Sequence, residues 1–247
     1  MKIEDKGFIL SAQKFGENSL IIKILSQENG IIHGIFRASS KNKNHILQGN
    51  QICFTWNARL QEHLGNISIS VEKSYGTICY NNYQKILSIN SLCSLILELF
   101  PEREKIENIH KLMQEYLSYI ESESIFENWL EKYILLKLEL LKNSGFGFDF
   151  NRCSETGVAE VFYISPKTGA CVCKEIGDPY KEKLFIIPKI FLENSFEKTK
   201  EDIIQAIEII RYFLAKHIFS EKNKNLPFAF EEFYSILKNQ KKNLSFN

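Results

Sequence analysis

The amino-acid sequence predicts an α+β protein: a five-stranded OB-type β-barrel over residues 1–80, then an all-α domain over residues 81–247 with a small β-hairpin insertion at about 151–184. Three observations carry this expectation. Five short runs before Tyr80 alternate apolar with polar residues; after Tyr80 the apolar period becomes helical; from Asn151 to about Leu184 glycine and proline break the pattern again.

The β-like runs are Phe8 to Phe15, Ser19 to Ser26, Ile31 to Arg37, Gln51 to Leu60 and Ile67 to Lys73. In the fourth, Ile52, Phe54, Trp56, Ala58 and Leu60 alternate with Cys53, Thr55, Asn57 and Arg59, so one face is apolar, as a small closed barrel requires. The fifth repeats this, with Ile67, Ile69 and Val71 against Ser68, Ser70 and Glu72. Five strands in so short a stretch, with a basic connection after the third, fit an OB-type barrel better than a sandwich. Trp56 falls on the apolar face and belongs in the core rather than against a base, whereas Arg59 points the other way.

Leu92, Leu95, Ile96 and Leu99 follow helical spacing, and Pro101 suits the first turn of a next helix with the stripe Ile106, Ile109, Leu112, Met113, Tyr116, Leu117 and Ile120. Ser124 with Glu127 reads as a capping box for a third helix that carries Trp129, Leu130, Tyr133, Ile134, Leu138 and Leu141 and stops at Gly145. Thr199 and Asp202 open a later helix through Ile203, Ile207, Ile210, Leu214 and Ile218, and a last amphipathic piece runs through Phe230, Phe233, Tyr234 and Leu237. The helices flanking the hairpins are expected to pack together, which makes the hairpins an insertion.

Net charge over the 247 residues is only +1, but it is uneven: +3 over residues 1–80, −4 over 81–149 and +2 over 150–247. A basic binding module on a separate scaffold fits better than one continuous channel for nucleic acid. Between Asn29 and Gln61, Arg37, Lys41, Lys43 and Arg59 stand with His33 and His45, and no carboxylate interrupts them. Phosphates repel carboxylates and release counterions to Lys and Arg, so such a stretch suits a polyanion; the plain alternative is a solvated loop.

Other chemistries are poorly supplied. The six cysteines are scattered, and Met1 to Lys6 places charges where a signal peptide would have its apolar core, which points to a cytoplasmic protein with reduced thiols and no membrane span. Cys153, Cys171 and Cys173 are the candidates for structural zinc, but Thr156 stands where the second ligand should be and no His occurs between His110 and His217. No metal or other cofactor is therefore expected. None of the H-E-x-x-H, G-x-S-x-G, G-x-x-x-x-G-K-[ST] or G-x-G-x-x-G patterns occurs, and no nucleophile has a base beside it, so an enzyme is not expected.

Gly7-Phe8-Ile9-Leu10, Gly16-Glu17-Asn18-Ser19, Gly30, Leu47-Gln48-Gly49 and Trp56 to Leu60 with Glu62-His63-Leu64-Gly65 resemble the RecO family of bacterial recombination mediators, in the form found in alphaproteobacteria. The likeness continues through Leu140-Leu141, Gly145-Phe146-Gly147, Arg152-Cys153 and Tyr163 to Gly169, spanning most of the chain in order. It implies an amino-terminal OB fold and a helical domain with a zinc-finger-like insert, here degenerate because only the position of Cys153 is kept. It implies a non-enzymatic DNA repair and recombination protein of the nucleoid, which binds single- and double-stranded DNA without sequence preference and anneals complementary strands. RecR, the carboxy-terminal tail of single-stranded-DNA-binding protein and, indirectly, the RecA recombinase are the implied partners. Carried onto this chain, Arg37, Lys41, Lys43 and Arg59 become phosphate contacts, with Lys14 and His45 beside them. A tail-binding pocket could be supplied by the third helix, with Trp129, Leu136 and Leu140 as its floor and Lys132 or Lys137 on its rim; the plain alternative is that these apolar residues are ordinary helix core. Two other readings stay open: an OB-fold protein for structured RNA, and a zinc-dependent nucleic-acid enzyme built on the three cysteines.

Overall fold

Strands β1 (Lys2–Lys14), β2 (Ser19–Ser26), β3 (Ile31–Arg37), β4 (Gln51–Asn57) and β5 (Gly65–Lys73) close a barrel in the order β1-β2-β3-β5-β4 in the computed structural model. It describes residues 1–38, 46–60, 63–123, 125–192 and 199–242. Among the barrel strand pairs described, β3–β5 is the parallel one, with Gly34, Ile35 and Phe36 opposite Gly65, Asn66 and Ile67. β1 is long enough to serve two neighbours: Lys2 to Phe8 pair with β4, and Gly7 to Lys14 with β2. Alternation fills the interior with Ile22, Ile24, Ile32, Phe36, Ile52, Phe54, Trp56 and Ile67. Burial of this set is the main force closing the cylinder, at roughly 1.5–3 kcal/mol per large side chain.

Two expected boundaries move. β1 begins at Lys2 rather than Phe8, because backbone pairing with β4 organises a charged stretch in which only Ile3 marks an inward position. β4 stops at Asn57, and Leu60 is exposed.

After the barrel come α1 (Tyr75–Ile78), α2 (Tyr83–Leu99), capped by the Asn82 side chain, and α3 (Ile109–Ser122). α2 packs on β1. Pro101 does not start α3. The residues after it lie along β3 instead: Glu102 forms a parallel bridge to Ile31, and the Arg103 amide donates to the Ile31 carbonyl at 3.0 Å. Gly30 (φ 67°) makes room for this segment, since a Cβ there would fall on the Glu104 carbonyl. These elements form one unit, Met1–Glu123 with Pro227–Ser235.

The second unit, Ser124–Leu226 with Ile236–Asn247, is built on α4 (Phe126–Asn143) and α6 (Lys200–Phe213), which pack together. Ile125 takes the N-cap position of α4 without a side-chain cap; the capping box expected of Ser124 and Glu127 rests on a residue and a side chain outside those described. At α6 Thr199 and Asp202 do form one. Between these helices stand β6 (Tyr163–Ile164), β7 (Cys171–Val172) and β8 (Phe185–Ile186) in the order β7-β6-β8, with α5 (Lys174–Gly177) between β7 and β8. Phe148 and Phe150 anchor this small sheet region by ring contacts to Phe191 and Phe213. The π-helical turn Leu214–Phe219 extends α6, and α7 is Phe228–Lys242. Among the described residues no helix is long and apolar enough to cross a membrane.

Candidate nucleic-acid interface

Cations on the barrel divide by what they touch. Lys2 pairs with Glu4, Lys6 with Glu72 (2.7 Å), Lys23 with Glu102 (3.0 Å) and Lys73 with Glu121. Lys14, Arg37 and Arg59, all exposed, hold no carboxylate among the described residues. Lys41, Lys43 and His45 lie outside the described residues.

Register brings two of the free cations to one end of the cylinder. Lys14 is opposite Leu20 and Arg37 is opposite Ser19, so they flank the first residues of β2 with about 10 Å between their strands. The Phe15 amide donates to the Ser19 carbonyl (2.9 Å) and the Ala38 amide to the Asn18 carbonyl (2.9 Å), which ties the β1–β2 turn to the end of β3. Arg59 stands apart from them on the β4–β5 connection, which enters β5 where Gly65 meets Gly34.

Outward residues of β2 and β3 form three rows across the pair: Ser19 with Arg37, Ile21 with Ile35, and Lys23 with His33. Ile21 and Ile35 are half-buried and give an apolar floor beside the Arg37 guanidinium. A groove of about 510 Å³ continues it, lined by Ile35, Arg37, Asn66 and Ser68. The larger groove of about 630 Å³ is lined by Glu4, Asp5 and Lys6, and Lys6 is already neutralised by Glu72. Charge therefore favours the smaller groove for a phosphate backbone. Asn66 and Ser68 were not singled out in the sequence, although the alternation of the fifth strand places Ser68 on the polar face. Phe15, beside Lys14 and 47% exposed, is a large aromatic left in water on the β1–β2 turn.

At the far row Glu102 bonds both Lys23 and His33. Burial raises its carboxyl, but the bonds and charges of Lys23 and His33 outweigh this and hold it below the usual carboxylate range. Trp56 is fully buried, donates to the His33 carbonyl at 3.0 Å and lies under the Arg103 guanidinium at 4.3 Å.

In α4, Trp129, Leu136 and Leu140 are buried packing residues, so they form a helix core face rather than an open pocket floor. Lys132 is exposed. Lys137 does not stand on a rim: it is 1% exposed with its ammonium 4.0 Å over the Tyr133 ring, because it lies one turn beyond Tyr133 on the buried side.

Cys153 sits in a turn closed by its own carbonyl, which accepts from the Gly157 amide at 2.9 Å. Its sulfur accepts from the Cys173 amide at 3.3 Å, and the Thr156 hydroxyl is 3.9 Å from the Cys173 sulfur. The Thr156 hydroxyl in particular lowers the Cys153 thiol to about 6, while burial pushes Cys171 up to about 12. Among the described residues no three His, Cys, Asp or Glu side chains converge for a metal. Thr156 fills a ligand position with a neutral hydroxyl, and the set does not fit a tetrahedral zinc ion.

An OB-type barrel with cations beside an apolar floor is an arrangement that nucleic-acid-binding proteins use. The family model described as Recombination protein O N terminal matches residues 1–75, and Recombination protein O C terminal matches residues 80–227. A DNA repair protein RecO of Rickettsia akari (strain Hartford) is 35% identical over 242 residues, covering 97% of this chain and 100% of the relative. Those of Rickettsia canadensis (strain McKiel) and Rickettsia felis are 35% and 36% identical over 221 residues, covering 89% of this chain and 90% and 92% of each relative. This chain belongs to the RecO family of DNA repair and recombination proteins.

Proposed function

We propose that the barrel grips the phosphate backbone of single- and double-stranded DNA by charge, without reading sequence, and that the protein anneals complementary strands and helps load a recombinase at gaps. The observation that carries this reading is the segregation of cations among the described residues: Lys14 and Arg37 at the β1–β2–β3 end, with Arg59 on the β4–β5 connection, hold no carboxylate, whereas Lys2, Lys6, Lys23 and Lys73 each do. Neutralising two backbones lowers their mutual repulsion and lets base pairing proceed, so annealing needs no chemical step, metal or cofactor. Family membership supports RecR and the tail of single-stranded-DNA-binding protein as partners, with RecA reached through them.

Arg37→Glu with Arg59→Glu tests the site. Binding to oligonucleotides of unrelated sequence is expected to weaken alike, and the slope of log K against log salt to flatten by roughly 1.4 on single strands. An unchanged salt titration would remove this face from the interface. Annealing of complementary fluorescent strands, with and without single-stranded-DNA-binding protein, reads the function in the same variants.

A further inference from the structure

Glu102 is placed where a phosphate would otherwise bind. Lys23 and His33 are cross-strand partners on the outer face of β2 and β3, four residues down β3 from Arg37, or about 13 Å along the strand. Arg37 and Lys23 would flank the Ile21–Ile35 floor as two phosphate contacts. Instead, the Glu102 carboxylate takes both Lys23, at 3.0 Å, and His33.

The segment that carries this carboxylate is also held down by other contacts. The backbone is already tied by the Arg103 amide to the Ile31 carbonyl at 3.0 Å, by Lys105 to Glu28 at 2.5 Å, and by the close fit of Glu104 over Gly30. Both members of the Lys23–Glu102 pair keep more than a third of their side-chain surface in water, at 40% and 35%, so the pair adds little stability, and its charge lies on the outer face of β2 and β3. A phosphodiester backbone approaching this row meets a site already occupied by an anion.

We propose that Glu102 is a built-in competitor of phosphate that confines the DNA footprint to the Arg37 end of the barrel face, which makes it a determinant of site size and salt response. This rests on the proposed reading of the barrel as the DNA interface. Glu102→Gln keeps shape and removes the competing charge.

Salt titrations of a fluorescent single-stranded oligonucleotide test this. Glu102→Gln is expected to bind roughly three- to tenfold tighter at low salt, with a slope steeper by about 0.7, one additional phosphate contact. Adding Lys23→Ala is expected to cancel that gain. Acetylation of the wild-type chain gives a readout independent of any variant: DNA should protect Lys14 and leave Lys23 as reactive as before. Wild-type affinity and slope in a folded Glu102→Gln, a gain that survives Lys23→Ala, or protection of Lys23 in the wild-type chain each overturn the proposal. Arg37→Glu is run in parallel. If it weakens binding while Glu102→Gln does nothing, only the competitor falls; if it too is silent, the barrel interface falls and takes the competitor with it.

Discussion

Two stretches of the same barrel surface carry cations and use them in opposite ways. On the β1–β4–β5 side Lys2, Lys6 and Lys73 each meet a carboxylate, while at the β1–β2–β3 end Lys14 and Arg37 meet none among the described residues. Counting charges cannot separate them, since the barrel region is only +3. What separates them is where the acids stand, and Glu121 and Glu102 come from helices and connections well after the barrel. A cation with its own carboxylate has little to gain from a phosphate, because one counter-charge merely replaces another.

The most damaging way to break the contrast is to break the barrel. Trp56→Ala removes a fully buried indole that bonds the His33 carbonyl and supports Arg103, and is expected to cost about 3–5 kcal/mol, measured by urea unfolding. Both faces should then fail together. Next in size is charge removal: Arg37→Ala with Arg59→Ala should weaken DNA binding by roughly tenfold or more at moderate salt, while Lys6→Gln with Lys73→Gln should leave the salt slope within error. Equal losses from the two pairs would erase the distinction. Thr199→Ala has a smaller effect, about 1 kcal/mol in thermal or urea melts, because it removes the α6 capping box. DNA titrations of that variant should match the wild type, which separates charge from stability.

The barrel was readable because its physics is local. β2 and β3 begin and end where alternation predicts, and Trp56 is in the core. The first part of β1 was not, since Lys2 to Lys6 become a strand only by pairing with β4. Pro101 was read from its own neighbours as a helix start, but Ile31 and Gly30 recruit the chain after it onto β3. Arg37 and Arg59 could be named from charge alone; that Lys23 is neutralised could not, because Glu102 stands 79 positions further along the chain. Asn66 and Ser68 join the candidate site only through the parallel β3–β5 pair, a contact no local pattern announces. On α4, periodicity gave a stripe but not which side of it faced water, and Lys137 proved to lie inside.

The smallest effect concerns pH, and it separates how the barrel is supported from how it holds DNA. His110 on α3 is 8% exposed, lies against Phe8 with tilted rings 4.8 Å apart, and has an Nε2 with no hydrogen-bond partner among the described residues. Burial pushes its pKa below the ordinary histidine value, although the charges of Asp5 and Glu28 act the other way. The native state therefore keeps His110 neutral at pH values where the unfolded chain has begun to protonate it. Because the unfolded chain then holds more protons, stability falls as pH drops from about 7 through the ordinary histidine range, and the loss levels off below the native pKa. Asp5, Glu28 and Glu102, all held below their ordinary values, add their own loss only in the carboxylate range further down. Melting temperatures at pH 8 and pH 5.5 should differ in the wild type and converge in His110→Leu. A wild type that melts identically at both pH values would show that the imidazole finds a proton acceptor, and that α3 supports β1 without a titratable contact.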